Sequence, residues 1–175
     1  MVFLNLPGIG GSGPKHWQAL WEQKDRRFKR VEQRDWDNPD CGEWVRQLQQ
    51  AVDACGPESI LVAHSLGCLQ AAHWAAKTQS KISAALLVAP ADPENICFPP
   101  QATGFNRVPL KPLPFRTILV ASTDDPFCDL AVVRRYAQAW QSRFVEAGAI
   151  GHINAESNIG DWPFGFALLK ELDQK

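Results

Sequence analysis

Ile60-Leu61-Val62-Ala63-His64-Ser65-Leu66-Gly67 is an apolar run that ends on a serine between small residues and opens into the helical pattern Gly67–Lys77. A strand, a tight turn and a helix in that order set Ser65 at the turn, in the form A-x-S-x-G. The spacing has a steric reading: strand and helix approach each other at such a turn, so the residues two before and two after the serine are both small. Alanine at 63 stands where glycine is usual, and its methyl is the smallest possible addition. The plain alternative for Ser65 is an ordinary helix N-cap.

Working outward, short apolar runs bounded by Gly, Pro and Asp alternate with longer helical patterns, the form taken by successive βα units around a mostly parallel sheet. Six strands are predicted, at Val2–Leu6, Phe28–Val31, Ile60–Ala63, Ala84–Ala89, Thr117–Ala121 and Arg143–Glu146. The second is the weakest, being short and flanked by basic residues. Helices are predicted near His16–Lys24, Cys41–Ala54, Gly67–Lys77, Leu130–Gln141 and Gly165–Leu172. Asp40 can cap the second, and Gly56-Pro57 stops it. Pro90 to Pro114 is proline-rich without a clear period and longer than most connections, which suits a rim over a site.

A chain of 175 residues is one domain's length, so residues 1–175 are expected to form a single domain. A formal net charge of −1 offers no field to gather nucleic acid or anionic lipid. The basic cluster Lys24 to Arg30, broken by Asp25 and Phe28, reads as a solvated helix end. Five cysteines without a CxxC pair argue against a disulfide framework and a structural metal, and point to reduced thiols in a cytoplasm. Neither a signal peptide nor a membrane-spanning run is visible. No cofactor is expected, and the oligomeric state stays open.

Asp125 lies just past the fifth strand and His152 just past the sixth, within Gly148-Ala149-Ile150-Gly151-His152. An acid after a strand is often a turn residue, and a loop histidine is often a surface side chain. The order Ser65, Asp125, His152 at successive strand ends is nevertheless that of the α/β-hydrolase fold, here a doubly wound, mainly parallel six-stranded sheet in three layers without a cap domain. Pro126 favours Asp125 over Asp124, because it pushes the residue before it into an extended conformation. Asp124 is then expected to face solvent or satisfy a loop amide. Asp92, after the fourth strand, is the fallback.

An oxyanion needs preorganised donors, and the backbone N–H groups of Leu66 and Ile9 are the candidates. Gly8 and Gly10 let the loop after the first strand turn inward. The first and third strands must be neighbours for these two loops to serve one carbonyl. His16 opens the first helix near enough to that loop to touch substrate along with Gly8 and Gly10. His64 is expected to project away from Ser65 into packing, and Cys68 to be an inert buried thiol.

The sequence resembles a known family, the retinoblastoma-binding protein 9 and YdeN-like serine hydrolases. The resemblance is carried by Pro7-Gly8, Ser12-Gly13-Pro14, His16-Trp17, His64-Ser65-Leu66-Gly67, Ser122-Thr123-Asp124-Asp125-Pro126-Phe127-Cys128, Gly151-His152-Ile153-Asn154-Ala155 and Trp162-Pro163. It implies a triad of Ser65, Asp125 and His152 that hydrolyses ester or amide bonds of small substrates. The pocket-protein motif L-x-C-x-E is not matched, since Leu66-Gly67-Cys68-Leu69-Gln70 lacks the acid, and that partner is not expected. Two rivals stand beside this reading. Gly8-Ile9-Gly10-Gly11-Ser12-Gly13 fits G-x-G-x-x-G after a strand, with Glu32 as a ribose-binding acid, which would suit a nucleotide-binding oxidoreductase. A catalytically silent interaction module is the other.

Overall fold

The computed structural model describes residues 1–174. Six strands form one sheet in the order β2-β1-β3-β4-β5-β6, with every neighbouring pair parallel. They are β1 (Phe3–Leu6), β2 (Phe28–Arg30), β3 (Ile60–His64), β4 (Ala84–Val88), β5 (Arg116–Ala121) and β6 (Arg143–Glu146). Each predicted strand exists, with ends moved by at most a residue. The central strands β1, β3 and β4 are buried along their whole lengths, which is why they read as mostly apolar runs, broken only by the buried Asn5 and His64. The two edge strands β2 and β6 carry charged, exposed residues that discourage pairing with another chain.

Successive side chains of a strand point to opposite faces, and the two cores separate on that rule. Leu4, Leu6, Leu61, Ala63, Ala85 and Leu87 face one way, onto α2 (Cys41–Cys55), α3 (Leu66–Ala75) and α4 (Leu130–Trp140). Phe3, Ile60, Val62, Leu86 and Val88 face the other, onto α1 (Trp17–Lys24) and α5 (Pro163–Asp173). Helix, sheet and helix therefore make the three layers. Asp40 caps α2 by accepting from the Glu43 amide at 2.8 Å, and Gly56 closes it. α5 starts at Pro163, two residues earlier than its apolar pattern suggests, because proline suits the first turn of a helix.

The basic cluster is not simply a solvated helix end. Phe28–Arg30 forms β2, and the Arg30 guanidinium binds Glu22 at 2.9 Å, the carbonyl of Ser12 at 3.2 Å, and that of Gly11. Lys24 pairs with Asp161, and Arg27 with Asp25 and Asp173.

The chain runs from β1 outward to β2, then returns across β1 to β3, so the strand order reverses between β1 and β3. A reversal there opens a crevice at the carboxyl ends of these strands, the place where open α/β sheets bind ligands. Leu6 pairs in register with Ala63, so the loops that follow, Pro7–Gly13 and Ser65, leave the sheet side by side. No helix or strand interrupts the connection from β4 to β5, which contains the proline-rich stretch. No described helix is long and apolar enough to cross a membrane.

Candidate active site

Ser65 sits between β3 and α3 with φ 53° and ψ −118°, a strained conformation for a side chain with a β-carbon. Its amide is anchored to the carbonyl of Val88 at 3.0 Å, and its side chain makes no capping bond to α3. The ordinary N-cap role is thereby absent. The small-residue requirement has a different origin from the one the spacing suggests. A β-carbon on Gly67 would collide with the carbonyl of Leu6, so the end of β1, more than Ala63, demands glycine there.

The Ser65 hydroxyl lies 2.8 Å from Nε2 of His152. Nδ1 of the same ring lies 2.9 and 2.8 Å from the two carboxylate oxygens of Asp125. All three side chains are buried, although they come from the ends of β3, β5 and β6. With the carboxylate on Nδ1, the ring carries its proton there and leaves Nε2 as the acceptor facing the hydroxyl. A hydroxyl so held can pass its proton to the imidazole as its oxygen attacks an electrophile.

The two adjacent acids divide between two sets of partners. Asp125 takes His152 and also accepts from the Phe127 amide at 2.9 Å. Asp124 turns the other way, accepting from the Ser122 hydroxyl at 2.7 Å and the Gly151 amide at 2.8 Å, and these bonds hold its carboxyl below the usual range. Asp92 accepts from the Glu94 amide and makes no bond to His152.

The loop carrying His152 is tied at nearly every residue, by partners the sequence does not single out. Ile150 donates to the Ser122 hydroxyl at 3.0 Å and accepts from Ser157 at 2.6 Å. The carbonyl of Ile153 accepts from the Trp17 indole at 2.8 Å. His64 is buried as expected, but it does more than pack: its Nε2 donates to the carbonyl of His152 at 2.8 Å. Phe127 covers the His152 ring, with centroids 4.5 Å apart.

On the opposite wall, Gly8 presses on Ser65. A β-carbon there would lie 3.0 Å from Ser65 Cβ and 3.4 Å from its hydroxyl. Gly8 is extended, so its need for glycine is one of space, whereas Gly10 and Gly11 adopt left-handed φ values of 75° and 74°. The Gly10 amide is spent on Trp36 and that of Gly11 on Gly8, but the amides of Ile9 and Leu66 have no partner among the described residues. His16 caps α1 with Nδ1, which accepts from the Gln18 amide at 3.2 Å. Burial, with His152 and Arg30 nearby, pushes its pKa from the ordinary 6.5 to about 3, so the ring is neutral with its proton on Nε2. That nitrogen is buried and without a partner among the described residues.

These groups line an open cleft of about 470 Å³. Gly8, Ile9, Gly10, His16, Ser65, Leu66 and His152 all reach it. The proline-rich connection supplies Ala91, Cys97, Phe98 and Pro99, and the segment after His152 supplies Asn154 and Glu156. The glycine run does not open directly into a helix, since α1 begins only at Trp17, so the nucleotide-binding arrangement is not formed. Glu32 is exposed, outside the lining of the cleft. Among the described residues no three His, Cys, Asp or Glu side chains are grouped to hold a metal.

The sequence pattern of the serine hydrolase family matches residues 3–171. A protein from Pectobacterium atrosepticum described as a YdeN-like hydrolase is 34% identical, with a TM-score of 0.89 over 99% of this chain and 90% of its own. The ydeN product of B. subtilis is 19% identical, with a TM-score of 0.82 over 99% and 98%. Est1E of Butyrivibrio proteoclasticus, solved with ferulic acid, is 13% identical, with a TM-score of 0.72 over 99% and 90%, a likeness of fold alone. Among curated proteins, none matches the sequence. The likeness found lies on the YdeN side of the resemblance, and nothing supports the retinoblastoma-binding side.

Proposed function

Because the chain belongs to the family of YdeN-like serine hydrolases, we propose that it cleaves esters of small substrates through an acyl-enzyme formed on Ser65. The observation that carries this reading is the unbroken line of bonds from the Ser65 hydroxyl through His152 to Asp125. His152 Nε2 accepts the Ser65 proton as the serine oxygen adds to the substrate carbonyl. Asp125 keeps the ring in the right tautomer and stabilises the imidazolium that forms. The tetrahedral oxyanion is met by the Ile9 and Leu66 amides, both without a partner among the described residues. The imidazolium then gives its proton to the departing oxygen or nitrogen and the acyl-enzyme remains. Water, deprotonated by His152, attacks that ester, and collapse releases the acid and restores Ser65.

The substrate is a small, moderately apolar ester, with amides and thioesters as alternatives. Ala91, Phe98, Pro99 and Phe127 give the cleft an apolar side, and no inserted domain covers it to enclose a long chain. A fluorophosphonate should label the wild type once per chain, and p-nitrophenyl butyrate should be hydrolysed. Ser65→Ala should lose both while keeping its circular dichroism. A folded wild type that neither labels nor hydrolyses would end the proposal.

A further inference from the structure

We infer that His64 is a positioning residue that ties the base to the nucleophile, an inference that rests on the reading of Ser65 and His152 above. His64 is the residue directly before Ser65, and its Nε2–H donates to the carbonyl of His152 itself at 2.8 Å. The Ser65 hydroxyl in turn meets the His152 ring at 2.8 Å. Two adjacent residues of the elbow therefore grip one residue of the base loop at two points, main chain and side chain. That closed ring fixes both where His152 lies and how its imidazole is turned.

The ring of His64 has little freedom to do otherwise. It is packed edge-on against His16, with centroids 4.6 Å apart, and lies tilted against His152 at 4.8 Å. Burial, reinforced by the two neighbouring histidines, holds its pKa well below the ordinary imidazole range. The side chain is thus neutral, and because its Nε2 faces a carbonyl, that nitrogen carries the single proton. A buried imidazole used merely as filler would leave polar nitrogens at a cost that leucine avoids. Here the cost is offset by a bond to the base.

The loop needs such a tie because its own conformation is irregular. Gly148, Gly151 and Ile153 all have positive φ, at 83°, 61° and 49°. Ser122, Asp124, Ser157 and Trp17 bind its neighbouring residues, but His64 holds the carbonyl of residue 152. A displacement of ~1 Å between reacting groups costs about 10²-fold in rate, so loss of this bond is read in the acylation rate.

The test compares His64→Gln, whose amide nitrogen falls near the position of Nε2, with His64→Asn, which is too short, and His64→Leu, which has no donor. The rate of the first p-nitrophenol release from p-nitrophenyl acetate is measured with the melting temperature of each variant. His64→Gln is expected within about fivefold of wild type, and His64→Asn and His64→Leu at least about tenfold slower, with KM changed less than about threefold. If the leucine variant does not fold, the glutamine and asparagine pair decides. Equal rates for those two, or a leucine variant within about threefold of wild type, overturn the tether alone. A folded wild type that releases no p-nitrophenol overturns the parent reading and the inference with it.

Discussion

Gly67 lies so close to Leu6 that a β-carbon would stand 2.8 Å from the carbonyl carbon of Leu6 and inside the shell of its oxygen. The obstruction is main chain, at the end of a fully buried strand, so it cannot swing aside. Gly67→Ala should therefore destabilise the fold by about 2–4 kcal/mol, far more than an exposed helix substitution, because β1 and α3 must separate. Urea unfolding measures it. A loss below about 0.5 kcal/mol would mean that the two elements are not packed this tightly.

The division of labour between Asp124 and Asp125 gives two variants with different expected losses. Asp125→Asn replaces the carboxylate on Nδ1 of His152 and should lower kcat by about 10²–10⁴-fold on an activated ester, the upper end being the loss of about 10⁴ that this exchange costs in the general serine-protease case. Asp124→Asn keeps an oxygen that can accept from Ser122 and Gly151, and should cost less than about tenfold. Circular dichroism confirms folding in both. The reverse ranking would make Asp124 the functional acid.

The positions of the strands, of Ser65 and of the two acids were legible in the sequence because their signals are local. Apolar runs mark the strands, a small-residue helix after a strand marks the turn at Ser65, and Pro126 favours Asp125 over its neighbour. What escaped was decided by contacts between distant parts of the chain. His64 reaches a carbonyl 88 residues away and Trp17 one 136 residues away, and only the pairing of β1 with β3 and the return of the last loop bring them there. The same limit explains Gly67, whose local pattern pointed to Ala63 while the constraint came from Leu6. Arg30 looked solvated because neither Gly11 nor Ser12 is near it in sequence.

Cys97 offers a probe of the rim. It is exposed on the proline-rich connection and lines the cleft. The thiols of Cys41, Cys68 and Cys128 are buried, and burial raises their pKa values, that of Cys41 to about 11, while Cys55 is half-buried. A bulky maleimide should therefore modify Cys97 first, and mass spectrometry of the digest identifies the site. Modification should lower kcat/KM for a butyrate ester more than for an acetate ester, and Cys97→Ser should remove the effect. Full activity after stoichiometric labelling of Cys97 would place the rim away from the substrate path.

Acid should weaken the fold through the histidines packed beside Ser65, and the sign follows from their pKa values. His16 is lowered from the ordinary 6.5 to about 3, and His64 moves in the same direction. Between pH 6.5 and about 3 the unfolded chain binds a proton at His16 that the folded chain refuses. Stability is then complete above pH 6.5 and falls as the pH drops, by about 1.4 kcal/mol per pH unit for each such histidine. Asp124 acts later: its carboxyl is held low in the folded state, so its bonds to Ser122 and Gly151 persist through the usual carboxylate range and fail only in stronger acid. The measurement is the urea unfolding free energy at pH 7 and pH 5.5 for the wild type and His16→Gln. The wild type should lose about 1 kcal/mol more over that interval than the variant, which has no proton to take up at position 16. Equal losses would mean that the His16 ring is protonated as readily in the folded protein as in the unfolded chain. A charge would then stand against His64, and the neutral packing of these two rings would have to be given up.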